Sequence, residues 1–149
     1  MKITFTKINQ AQHRVSIERD ALNTEAVILH SDTYFLHDLC HYVVEQELLL
    51  SDGFWGMLNK GYSFAELGGK TNPLTEELRK IECIVGGLQA MYLGHQTNAG
   101  YLNYLSSVDI KLADTTFIER ALTKIEVLYT KFKYLQIGSE FTLHFVVAQ

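Results

Sequence analysis

Lys2-Ile3-Thr4-Phe5-Thr6-Lys7-Ile8 alternates apolar and polar side chains, and so does Arg14-Val15-Ser16-Ile17-Glu18 a few residues later. A period of two puts Ile3, Phe5 and Lys7 on one face of the first run, with a slip before Ile8, and Val15 and Ile17 on one face of the second. The polar link Asn9 to Gln12 has the length of an antiparallel hairpin connection, although it lacks the Asn-Gly or Asp-Gly dipeptide of the tightest turns. Asp20 to Thr24 reads as a second turn and Glu25-Ala26-Val27-Ile28-Leu29-His30 as a third strand, so the N-terminus predicts a three-stranded meander. Glu140-Phe141-Thr142-Leu143-His144-Phe145-Val146-Val147 alternates again and returns the C-terminus to the sheet as a fourth strand.

Between these ends the apolar period becomes that of a helix. Ser31, Asp32 or Thr33 can cap a segment from about Tyr34 to Leu49, with Leu36, Leu39, Cys40, Val43 and Val44 as its apolar stripe. Ser51-Asp52-Gly53 breaks it, and a short segment through Phe54, Trp55, Met57 and Leu58 ends at Gly61. Gly68 to Asn72 reads as a loop. Asn72-Pro73 then starts a long helix in which Leu74, Leu78, Ile81, Val85, Leu88 and Tyr92 recur at three- or four-residue steps as far as Gly94. Gly86-Gly87 lies inside it, which predicts a kink or a close-packed neighbour, and no phosphate-loop pattern surrounds the pair. A short segment follows around Tyr101 to Leu105. The last helix is expected from near Asp114, with Thr116 and Glu119 spaced as a capping box. The fold class is therefore α+β: a three- to four-stranded antiparallel sheet, N-terminal meander plus C-terminal strand, against a helical layer of three main helices, in one domain spanning 1–149.

One stretch carries candidate chemistry. In His37-Asp38-Leu39-Cys40-His41-Tyr42-Val43-Val44-Glu45, the positions 37, 41 and 45 drift through only about 80° of a helix surface, so all three side chains project from one side. Two imidazoles four residues apart are within reach of one ion, and Glu45 is either a third ligand or a hydrogen-bond partner that fixes a histidine tautomer. The second is geometrically easier, since one ion seldom takes ligands from three consecutive turns of a straight helix. The metal-site set is thus His37, His41 and Glu45, with Asp38 beside them as a supporting group, and the ion would be a divalent transition metal. A further ligand would have to come from elsewhere, His30, His95 or His144 being the candidates. The competing account is structural: His37 donates to a backbone carbonyl and His41 pairs with Glu45 across one turn at the helix surface. HDxxH also resembles the HExxH metalloprotease motif, but Asp is one methylene shorter than the general-base Glu, which weakens a proteolytic reading.

With Leu48, Gly53-Phe54-Trp55-Gly56 and Gly61 added, the same residues resemble a pattern of small uncharacterised bacterial proteins in which an HDxxHxxVE helix precedes a GFWG segment. The likeness covers about 25 residues, directs attention to His37, Asp38, His41 and Glu45, and implies no activity.

Composition narrows the classes. The chain has 149 residues, 47% hydrophobic and 20% charged with one proline, which is the profile of an ordered globular protein. Thirteen Lys and Arg against seventeen Asp and Glu give a formal charge of -4, and no basic run exists to neutralise successive phosphates, so nucleic-acid binding is not expected. No apolar run approaches the roughly 20 residues of a membrane span and no signal sequence is visible, so a cytoplasmic location is expected. Cys40 and Cys83, without CxxC spacing, read as buried reduced thiols. Serine lies in no GxSxG setting, so no hydrolytic triad is predicted and no catalytic residue is assigned. Phe54, Trp55, Tyr62 and Phe64 fill the core or line a pocket, and Tyr92, Tyr101 and Tyr104 could form an exposed patch for self-association. The preferred functional reading is a non-catalytic binding or assembly module with a homo-oligomeric or other protein partner. The alternative is a metal-binding protein or metal-dependent enzyme centred on the His37/His41/Glu45 helix.

Overall fold

The predicted meander is β1 (Lys2–Lys7), β2 (Gln12–Glu18) and β3 (Thr24–His30), and β4 (Glu140–His144) pairs with the free side of β1. The strand order is β3-β2-β1-β4 with every pair antiparallel. The computed structural model describes residues 1–20, 23–69, 75–110 and 114–147. Part of the expected second turn, and the Asn72-Pro73 helix start with Leu74, lie outside the described residues. Register follows the alternation: Ile3 stands opposite Ile17 and Leu143, and Phe5 opposite Val15 and Phe141. One face of the sheet is thereby apolar, and Ile3, Phe5, Val15, Ile17 and Phe141 are buried. Lys7 continues that face and is buried too, its Nζ donating to the Lys133 carbonyl at 3.0 Å above the Phe132 ring. The aliphatic stem covers apolar surface while the ammonium finds an acceptor.

The first helix winds directly out of β3 through a π-helical turn, Ser31–Phe35, into α1 (Leu36–Glu47). None of the expected caps is made: Ser31, Asp32 and Thr33 all lie inside the π-helical turn, which starts after His30, and the Ser31 hydroxyl bonds His13 Nδ1 at 3.1 Å. Two short helices follow, α2 (Phe54–Asn59) and α3 (Phe64–Gly68), the latter opened by a Ser63/Glu66 capping box. Gly61 between them adopts a φ of +109°, a left-handed conformation that glycine takes without strain. Then come α4 (Glu76–Tyr92), α5 (Asn98–Ser107) and α6 (Thr115–Lys133). α6 is capped by Asp114, whose carboxylate accepts from the Phe117 amide at 2.7 Å, so Thr116 lies inside the helix and the expected Thr116/Glu119 box does not form.

α1 belongs to both cores. Leu39 packs with Phe5, Phe35 and Trp55 beneath the sheet, while Cys40, Val43 and Val44 pack with Ile84, Val85 and Leu88 of α4 and Ile118 and Ile125 of α6. Burial on several sides is why Asp38, His41 and Glu45 are also inside. Gly87 receives the ring of Tyr101, whose hydroxyl donates to the Ile84 carbonyl at 2.7 Å, whereas Gly86 faces open space. The expected tyrosine patch is corrected accordingly: Tyr101 is buried, Tyr92 donates to Glu126 at 2.6 Å, and only Tyr104 is well exposed. Cys40 is buried, which pushes its thiol up to about 12, and Cys83 is half-buried; both are free. Among the described residues no helix is long and apolar enough to cross a membrane.

Candidate metal centre

Helical spacing brings His37 and His41 together on α1, their rings edge to face with centroids 4.8 Å apart. α4 packs against that side and presents Glu82 to both: His41 Nε2 lies 3.0 Å from Glu82 Oε1, and His37 Nε2 lies 3.6 Å from Glu82 Oε2. The other ring nitrogens are held from behind. His37 Nδ1 meets Gln89 Oε1 at 2.9 Å, and His41 Nδ1 meets Glu45 Oε1 at 3.1 Å. Partners on Nδ1 leave both Nε2 atoms directed at one carboxylate, the arrangement by which proteins orient imidazoles for metal binding.

One ligand atom from each of His37, His41 and Glu82 lies within 4.8 Å of the others, and among the described residues they are the one such group. Two ligand atoms at about 2.1 Å from one tetrahedral ion stand about 3.4 Å apart, so the widest spacing has to close by about 1.4 Å, through rotation of the partly exposed His37 and Glu82 side chains. Two imidazoles and a carboxylate are a donor set for zinc or iron(II), with coordination positions left for water or another ligand.

The remaining residues singled out in the sequence are placed as follows. Glu45 is fully buried and turned to the start of α2, where it accepts from the amides of Trp55 at 3.3 Å and Gly56 at 2.8 Å. Its oxygens therefore meet His41 Nδ1 and a helix N-terminus, where a carboxylate is favoured by the unpaired amides. Asp38 is 6% exposed, its Oδ2 has no partner, and its carbonyl takes the Trp55 indole N–H at 2.9 Å, which fixes the chain here. His30, His95 and His144 are exposed and do not join the cluster.

Charge within the cluster is unevenly shared. Burial alone would depress His41, but hydrogen bonds and charge from Glu45 and Glu82 raise it to about 9, so it is an imidazolium at neutral pH. His37 is lowered, first by burial and then by the charge on His41, against the opposing Gln89 and Glu82, so it is neutral. Glu82 is held below the usual carboxylate range, its partial burial outweighed by the two histidines. Burial, with Glu82 adding to it and His41 opposing, raises Asp38 to about 7.

The cluster lines a cavity of about 210 Å³. Val27 and Leu29 of β3, Phe54 of α2 and Phe64 and Leu67 of α3 form the apolar walls. His37, Asp38, His41 and Glu82 supply the polar lining, with Tyr34 at 44% exposure beside them. A larger cavity of about 270 Å³ lies between Leu50, Ile81, Ile84 and Ile110 and has no histidine or cysteine among its described lining residues.

Two members of the site were not legible in the sequence. Glu82 and Gln89 sit one heptad apart on α4, flanking the stripe of Leu78, Ile81, Val85 and Leu88, and nothing in their local pattern sets them apart from other polar helix positions. No protein family, curated protein or solved structure matches the chain.

Proposed function

We propose that this chain is a metalloprotein in which His37, His41 and Glu82 hold one divalent transition-metal ion in the lining of a pocket with apolar walls. The observation that carries the reading is the convergence of both Nε2 atoms on Glu82 while Gln89 and Glu45 hold both Nδ1 atoms. Ordinary surface pairing needs no such double anchoring. An ion in such a site supplies Lewis acidity and an acidic bound water. The protein's own contribution is to orient the imidazoles, to set apolar walls beside them, and to place Asp38 where it can exchange a hydrogen bond with whatever occupies the pocket. The shortened Asp38 argues against proteolysis. A reducing compartment such as the cytoplasm suits the two free thiols.

A second reading has its own support. His41 is already paired on both nitrogens, at 3.1 Å to Glu45 and 3.0 Å to Glu82, so the buried Glu45-His41-Glu82 chain can pin α1 to α2 and α4 without an ion. In that case the cluster is a structural clamp and the chain a binding or assembly module, its partner a second copy or another protein. Elemental analysis of protein purified without affinity tag or chelator separates the two. Near-stoichiometric zinc, iron, manganese or nickel that is lost in His37→Ala and His41→Ala supports the metalloprotein, and protein that neither contains nor takes up metal supports the clamp.

A further inference from the structure

The cavity's shape and charge narrow what a metal-anchored ligand can be, an inference that rests on the metalloprotein reading. Its polar lining is the His37, Asp38, His41 and Glu82 cluster with Tyr34, and its apolar lining is the side chains of Val27, Leu29, Phe54, Phe64 and Leu67, Phe54 standing against the His41 ring. Cavities of about 150 Å³ accept benzene, so about 210 Å³ admits one ring, or an aliphatic body of that size, together with part of a small headgroup. Charge limits the headgroup. No Lys or Arg is among the described residues lining the cavity, whereas the carboxylate of Glu82 lines it and that of Glu45 stands directly behind His41. Among the described residues, a divalent ion between two neutral imidazoles is balanced by those two carboxylates, which disfavours a dianion. Asp38 adds a buried Oδ2 with no hydrogen-bond partner to this lining, which suits a headgroup that can donate a hydrogen bond to it.

We infer that the site takes a small non-phosphorylated molecule with an apolar, ring-sized body and a neutral or singly charged oxygen-donor headgroup, the headgroup on the ion and beside Asp38, the body between β3 and α3. The ligand is of the class of hydrophobic carboxylic or hydroxamic acids and their amides rather than of nucleotides or sugar phosphates.

The test uses the full chain loaded with cobalt(II), whose visible absorption reports ligand exchange at the ion, and three probes: acetohydroxamate, benzohydroxamate and phenyl phosphate. Benzohydroxamate is expected to bind at least tenfold more tightly than acetohydroxamate, with phenyl phosphate weaker than either. Phe64→Ala, which opens the wall, and Val27→Phe, which fills the cavity, are each expected to shrink the preference for the ring several-fold while cobalt affinity stays within about twofold. Asp38→Asn is expected to weaken both hydroxamates without changing the ring preference. Equal affinity for the two hydroxamates, failure of either to perturb the cobalt spectrum, or tighter binding of phenyl phosphate would overturn the ligand assignment and leave the metal site standing. Failure to take up cobalt at all would overturn both.

Discussion

The carboxylate of Glu45 occupies the space in which Gly53 would carry a side chain. A β carbon on Gly53 would run into the Glu45 carboxyl group. Because that space is free, one buried carboxylate can serve His41 Nδ1 and the amides of Trp55 and Gly56 together. Gly53→Ala is expected to cost on the order of 1–3 kcal/mol in urea unfolding, the usual cost of overpacking a filled interior. It should also weaken metal binding, since Glu45 must move and His41 loses the partner that orients it. Unchanged stability with unchanged metal affinity would show that Glu45 has room to yield.

The adjacent glycines of α4 should respond in opposite senses. Gly86 is exposed with nothing near its missing side chain, so Gly86→Ala is expected to stabilise by about 0.5–1 kcal/mol through helix propensity and a less free unfolded chain. At Gly87 a β carbon would collide with the Tyr101 ring, so Gly87→Ala is expected to destabilise by about 1–3 kcal/mol and to loosen α5 from α4. Thermal denaturation of the pair checks this, and equal shifts of one sign would contradict it.

His13 is buried among Phe5, Phe35 and Phe132, with Nδ1 on Ser31 and Nε2 unpartnered, and burial lowers it to about 4. Between about 4 and 6.5 the unfolded chain binds the proton that the folded chain refuses. The His13 share of stability is therefore complete above pH 6.5 and lost as pH falls toward 4, at up to about 1.4 kcal/mol per pH unit. Asp38 runs the other way: raised to about 7, its share is complete below 3.8 and lost as pH rises to 7. The two nearly cancel in the natural chain. Asp38→Asn removes the opposing contribution and should steepen the acid loss of stability. Imidazole proton resonances should show His13 silent down to about pH 5, and titration near 6.5 would contradict its burial as a neutral ring.

His41, raised to about 9, contributes stability that is complete below 6.5 and is lost as pH rises through 9. The same proton must leave before Nε2 can bind an ion. Metal affinity is therefore expected to rise with pH up to about 9, by about tenfold per unit for one displaced proton, with calorimetry in buffers of different ionisation enthalpy reporting the release of that proton. Affinity independent of pH from 6 to 8 would show that His41 is not a ligand.

Much of the fold is written in period. Ile3, Phe5, Val15, Ile17 and Phe141 declare one face of a sheet, and Leu78, Ile81, Val85 and Leu88 one face of a helix, because local geometry alone sets those spacings. The helix caps were harder to read. Ser31 turns to His13 and Asp114 replaces Thr116, since several hydroxyl and carboxylate groups near a helix start compete and tertiary partners choose among them. The site was half legible. His37, Asp38, His41 and Glu45 share one stretch, but their burial arises from α1 being packed between the sheet and α4 and α6, which no local pattern encodes. Glu82 and Gln89 come from another helix, and only the packing of α4 on α1 tells which of many polar helix positions meets the histidines. The spacing that led to Glu45 selected a carboxylate on the correct helix, while the one lying between the two Nε2 atoms stands on its neighbour.

The assignment of Glu82 as a ligand and Glu45 as the group behind His41 is tested most directly by titrating cobalt(II) or zinc(II) into the natural chain, Glu82→Gln and Glu45→Gln, each first shown to be folded. The account predicts a single site in the natural chain, loss of that site in Glu82→Gln, and a site retained but weakened about 10- to 100-fold in Glu45→Gln, as removal of an orienting partner typically does. A Glu82→Gln protein that binds as the natural chain does would contradict the assignment of Glu82 as a ligand, and a natural chain that binds neither ion would contradict the metal site itself and leave the Glu45-His41-Glu82 chain as a structural clamp.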